Sequence, residues 1–199
     1  MSNDLKAKAR LWSVQASVNK MVLDNIRDAD EIADCLQKFI NEKPVEGSLI
    51  TVDRTIRPTY ADWMKSVLYP ELEAIGPSEL GVSSLEQWLH DNQKTGVVTG
   101  NVIREHLMSN NMLEGCLGLR DLEEIQKKGI TFFRKHFKGK AVFGWKSIVR
   151  NTGGDQYAPF LIEYAGKVVL IWFWLDLDWD SSNPALRFWI SRFTSWTQS

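Results

Sequence analysis

Residues 157–175, YAPFLIEYAGKVVLIWFWL, decide the fold class. Two apolar runs, Tyr157 to Tyr164 and Val168 to Leu175, flank the glycine-bearing joint Ala165-Gly166-Lys167. Runs of this length, rich in β-branched and aromatic residues and joined by a turn of this kind, are the pattern of two antiparallel strands. Alternation along the second run puts Trp172 and Trp174 on one face and Phe173 on the other.

Working outward, Ala141 to Val149 reads as a further strand, joined to the first through Asn151-Thr152-Gly153-Gly154-Asp155, and Leu186 to Phe193 reads as a fourth. The expectation is a C-terminal antiparallel β-sheet meander of three to four strands over about 140–193. Phe143, Trp145, Trp172, Phe173, Trp174, Trp179, Phe188 and Trp189 crowd this part, which predicts the tightest packing there.

Upstream the period changes from two to three and four. Leu119 to Phe137 carries Leu122, Ile125, Gly129, Phe132, Phe133 and His136 on adjoining turns, with acids early and bases late, as a single long helix would. Thr59 with Asp62 and Ser83 with Glu86 have capping-box spacing, which predicts helices near 60–68 and 83–91. Thr99 starts another, with Val102, Ile103 and Leu107 on its apolar side and Asn110-Asn111 closing it. Leu11, Val14, Val18 and Met21, then Ile32, Cys35, Leu36 and Phe39, predict an N-terminal helical hairpin over 1–43, stopped by Lys43-Pro44. The expected fold class is therefore α+β, with a mostly helical N-terminal two-thirds, helices over about 59–137, and the sheet last. Residues 48–199 form the α+β domain, with 1–43 either a separate hairpin or part of one compact domain.

Composition bounds the function. The 199 residues are 44% hydrophobic and 25% charged with a net charge of −1, an ordinary soluble globular profile. The most apolar run is too short to cross a bilayer, so no membrane is expected. Cys35 and Cys116 lie far apart in dissimilar segments, so the expected location is the reducing cytoplasm.

Charge is sorted along the chain. Between Lys127 and Arg150 there are eight Lys and Arg residues and no acid. Lys127, Lys128, Arg134, Lys135, Lys138, Lys140, Lys146 and Arg150 are the candidate site residues, a positive face for an acidic protein surface or a polyanion. Part of the run also completes a helix dipole. Trp145, Trp172 and Trp174 extend the nucleic-acid alternative, as rings on which unpaired bases stack.

Catalytic and metal patterns fail one by one. Asp176, Asp178 and Asp180 alternate, but Ser181 and Arg187 stand where a calcium loop needs glycine and glutamate. Asp155, Glu163 and Lys167 are the one set resembling a nuclease triad, and on a continuous strand Glu163 and Lys167 would lie about 13 Å apart. His90, His106 and His136 have no paired ligand spacing and no nucleophile nearby. No cofactor is expected, and a metal-dependent phosphodiesterase is the weakest reading.

The wording GLRDLEEIQKKGITFFRKHFKGKAVFGWKSIV, Gly118 to Val149, and NPALRF, Asn183 to Phe188, resembles an uncharacterised group of bacterial and phage-associated proteins. TVDRTIRPTYADWMKSVLYPELEAIGP and SLEQWLHDNQ are similar to it too. The resemblance covers roughly residues 48 to 189. It implies a setting of phages and mobile elements, but no activity, cofactor or residue role. The resulting expectation is a non-catalytic accessory protein, one that binds or inhibits a host factor through the basic face. A nucleic-acid-binding module is the alternative, and a homo-oligomer is compatible with the sequence.

Overall fold

A computed structural model of the chain describes residues 49–188. The expected hairpin over 1–43 and residues 189–193 of the expected last strand lie outside them. The described residues belong to the second of the chain's two units, Gly47–Ser199.

The central hairpin forms where the sequence puts it. β8 (Gln156–Tyr164) and β9 (Lys167–Trp174) pair antiparallel from Tyr157↔Trp174 to Tyr164↔Lys167. Ala165 and Gly166, with φ of 48° and 74°, close it, the two left-handed residues of a tight hairpin turn.

Around it the described residues depart from the expected fold class. They form eleven strands in three sheets, with four helices in the middle of the sequence rather than a helical N-terminal two-thirds. Where a helix near 60–68 is predicted, β2 (Met64–Val67) pairs with β7 (Val149–Asn151). Where one near 83–91 is predicted, there is a single 3-10 turn at Val82–Ser84 and then β4 (Glu86–Trp88), paired with β11 (Ala185–Arg187). Capping-box spacing is a weak local preference, and a partner strand from elsewhere in the chain outweighs it. Short strands β1 (Leu49–Thr51) and β3 (Glu79–Gly81) pair with each other, as do β5 (Val98–Thr99) and β10 (Asp178–Trp179).

The main sheet is not a meander. Its order is β2-β7-β8-β6-β11-β4, with β6 at Val142–Phe143 and β9 on the other side of β8. β7 and β6 follow one another along the inner edge of β8, through Val149↔Tyr157 and Phe143↔Phe160. β11 runs parallel to β6, which no chain of local hairpins produces. The strand expected over Ala141 to Val149 is thus two short strands separated by a 3-10 turn at Trp145–Ser147.

Helix α1 (Asp91–Thr95) precedes α2 (Gly100–Ser109), which buries Ile103 and Leu107. The single helix expected over 119–137 is two, α3 (Leu119–Lys127) and α4 (Gly129–Phe137). The break is Gly129, whose φ of +81° no α-helix interior contains.

The hairpin divides two cores. Ala158 and Phe160 join Ile103, Leu107, Phe143, Trp145 and Trp179 on one side. Leu161 and Val168 join Leu122, Ile125, Phe133 and Phe137 on the other. Phe143 and Trp179 have ring centroids 4.0 Å apart, and Trp145 and Trp179 4.9 Å.

Candidate functional site

Two turns of α4 are anchored by Phe133 and Phe137, both buried, so the opposite side of the helix faces outward. On α4 Thr131, Lys135 and, at its C-cap, Lys138 follow at steps of four and three, which is one side of a helix, Lys128 stands just before the Gly129 break, and all four are exposed. At 1.5 Å per residue Thr131 to Lys138 make a ridge about 10 Å long. Lys128, Lys135 and Lys138 make no ion pair among the described residues, and α4 carries no acid. Arg134 flanks the ridge and spans to the hairpin, its Nε and NH2 donating to Glu163 Oε1 at 3.0 and 2.5 Å. That bond holds the Glu163 carboxyl below its usual range. Lys127 is tied to Glu124 at 2.8 Å.

The other three candidate cations leave this face. Lys140 is half-buried and donates to the Ser181 carbonyl at 2.8 Å. Arg150 is exposed, but on β7, the strand paired with β2 and β8. Lys146 is completely buried, so the positive face expected from eight residues contracts to the α4 ridge and its two neighbours.

Lys146 instead enters a buried polar cluster. Its Nζ donates to the Ile75 carbonyl at 2.6 Å and sits 4.6 Å from the centre of the Phe188 ring. Burial drags its pKa from 10.5 down to about 8 against the opposing pull of Asp121. Asp121 pairs with Arg54 NH2 at 2.6 Å and accepts from the Gly118 N–H at 2.8 Å. Ser147 Oγ accepts from the Leu119 N–H at 2.8 Å and donates to Glu73 at 3.1 Å, where the Tyr60 hydroxyl also donates. Desolvation pushes the Glu73 carboxyl up. The cluster satisfies the free N–H groups that start α3 and ties residues 53–77 to that helix. Lys146, Ser147 and Asp121 are at most 1% exposed, so none of the three presents its polar group to solvent. In front of it lies an open groove of about 460 Å³, lined by Ile75, Pro77, Leu80, Phe188 and the carboxylates of Glu79 and Glu114.

The aromatic candidates separate. Trp145 is fully buried and stacks on nothing outside. Trp172 stays half-buried in a ledge that the sequence did not assemble, with Trp63, itself 42% exposed, 6.2 Å away and nearly perpendicular. Tyr157 lies 5.2 Å from Trp63, and Tyr60 lies 6.2 Å from Trp172.

The acidic candidates are engaged elsewhere. Asp176 accepts from Asn101, and Asp180 accepts from Ser182. Glu163 and Lys167 lie on either side of the hairpin turn, in the adjacent pairs Glu163↔Val168 and Tyr164↔Lys167. They lie on two strands rather than one continuous strand, and adjacent pairs point to opposite faces. Among the described residues no group of three His, Cys, Asp or Glu side chains is placed to hold a metal. None of their helices is long and apolar enough to cross a membrane.

One pairing has no trace in the sequence spacing. His90 and His106 have ring centroids 4.9 Å apart, with Trp88 5.4 Å from His106. His90 Nδ1 accepts from the Asn92 N–H at 3.2 Å and caps α1. Burial, then the facing His106, lowers its pKa. Of the two cysteines only Cys116 is described. It is buried, and its thiol is pushed up to about 12 by desolvation, which makes it inert.

No family model, no curated protein and no solved structure matches the chain. The resemblance over roughly residues 48 to 189 rests on its own wording.

Proposed function

We propose that the chain is a non-catalytic binding protein that docks on an acidic surface of a protein partner through the α4 ridge. One observation carries this reading: Lys135 and Lys138 are exposed on one side of α4, a helix without acids, Lys128 is exposed in the break just before it, and none of the three forms an ion pair among the described residues. Holding like charges on this ridge and beside it costs repulsion that an acidic partner relieves. Such a surface speeds encounter and selects partners, and its effect fades as the Debye length shortens with salt. The phage-associated wording makes a bacterial host factor the first partner to try, and inhibition one way of acting on it.

The test is capture from a bacterial lysate at two salt concentrations, with the parent chain and with Lys128→Glu, Lys135→Glu and Lys138→Glu combined. Capture that weakens with salt and disappears in the triple variant supports the ridge. Arg150→Glu is the control expected to retain capture. Equal capture by parent and triple variant rejects the reading.

Single-stranded nucleic acid is the second reading, favoured by the half-open ledge of Trp63, Trp172, Tyr60 and Tyr157. It requires tryptophan quenching on binding, loss of binding in Trp172→Ala, and a linear fall of log affinity with log salt.

A further inference from the structure

The outer edge of β9 points to a second surface, independent of the α4 ridge. β9 is eight residues long and pairs with β8 alone among the described strands. The Leu175 N–H donates inward to the Gln156 carbonyl at 2.9 Å. With the register Tyr157↔Trp174, this turns the backbone groups of the odd-numbered residues toward β8 and those of Val168, Leu170, Trp172 and Trp174 outward. Two side observations agree. The Val168 carbonyl accepts from Gln126 Nε2 at 3.0 Å, and the Trp174 carbonyl from the Leu177 N–H at 3.2 Å. Between these two caps, the N–H and C=O of both Leu170 and Trp172 have no partner among the described residues.

Sheet edges are ordinarily blunted by proline, by charge or by a bulge. From Val168 to Trp174 this edge has none of them, and Ile171 at its centre is 44% exposed. We propose that two copies of this chain pair through β9, antiparallel about a two-fold axis at Ile171. In that register Leu170 faces Trp172 of the other copy and Val168 faces Trp174, so every outward residue meets an outward residue. Leu170 and Trp172 exchange both backbone bonds on each side of the axis, as a hydrogen-bonded antiparallel pair does. Lys167 falls opposite Leu175, so no like charges meet. Any other two-fold register leaves at least one outward residue of the strand without a counterpart in it. A second copy is thus the partner this edge matches, and the two sheets continue through β8-β9-β9-β8.

The test uses the full chain, by sedimentation over a dilution series with amide hydrogen exchange read at Leu170 and Trp172. The expected result is a species of twice the chain mass that halves on dilution, with both amides losing protection as it dissociates. Ile171→Lys sets two ammonium groups against each other at the axis. It should yield a monomer that keeps the parent fold, because the side chain is already exposed. Ile171→Cys should form a disulfide-linked dimer on oxidation, since Cα atoms in such a facing pair are about 4.5 Å apart. The parent, with Cys35 and Cys116, is its control. A parent that is monomeric at every concentration overturns the proposal, as does a dimer that survives Ile171→Lys or fails to cross-link in Ile171→Cys. Protection of the two amides that ignores dilution also overturns it, because a strand of the same chain would then occupy the edge.

Discussion

Residues 156–174 and residues 141–151 are both rich in β-branched and aromatic side chains, yet the first forms one long hairpin and the second breaks into β6, a turn and β7. The hairpin needs only its own residues: its turn is two residues long and its register follows from the turn. The broken segment is held from outside. Leu119, Glu73 and Ile75 bond to Ser147 and Lys146, and Trp179 and Phe143 enclose Trp145. Composition is legible wherever structure is local, and misleads where distant chain supplies the bonds.

The contrast breaks most easily on the non-local side. Trp145→Ala should lower the unfolding free energy by about 3–5 kcal/mol in urea titration, since it empties the centre of one core. Trp145→Phe should cost much less, because the buried indole N–H has no partner among the described residues.

Lys146 supplies the next effect. Its folded pKa of about 8 lies below the 10.5 of the free side chain, so between these values the unfolded chain binds the extra proton. Stability from this group therefore rises as pH climbs from 8 to 10.5, by at most about 3 kcal/mol. Urea midpoints across that range should rise in the parent relative to Lys146→Met, and parallel curves would reject the assignment.

Gly129→Ala should cost about 1–2 kcal/mol, since the left-handed backbone between α3 and α4 is strained for any residue with a Cβ, although nothing lies within 4 Å of that position. The local side shows the smallest effect. Ala165→Asn should raise stability by about 0.5–1 kcal/mol, because asparagine tolerates the positive φ that alanine holds at the hairpin turn. A thermal melt that moves upward confirms it.

The candidate site follows the same division. That Lys135 and Lys138 share a helical side was readable from their spacing, as was the helix from Gly100 to Ser109, whereas Lys128 is cut off from that side by the break at Gly129. The burial of Lys146 was not, since its partners Ile75 and Phe188 lie 71 positions before it and 42 after it. Nor was the ledge, which brings Trp63 to Trp172, or the meeting of His90 with His106.

From its amino acids alone this chain declares the β8–β9 hairpin, the helix beginning after Thr99, the apolar stripes of α3 and α4, and the absence of acid along the basic run. These depend on periodicity, turn chemistry and charge within about twenty residues. Strand pairing across the chain settled the rest. Residues 64–67 and 86–88 became strands because β7 and β11 offered them backbone bonds, and a buried lysine left the basic face because the Ile75 carbonyl and the Phe188 ring closed around it. Backbone hydrogen bonds carry no side-chain code, so the sequence cannot name the partner that a short segment will find.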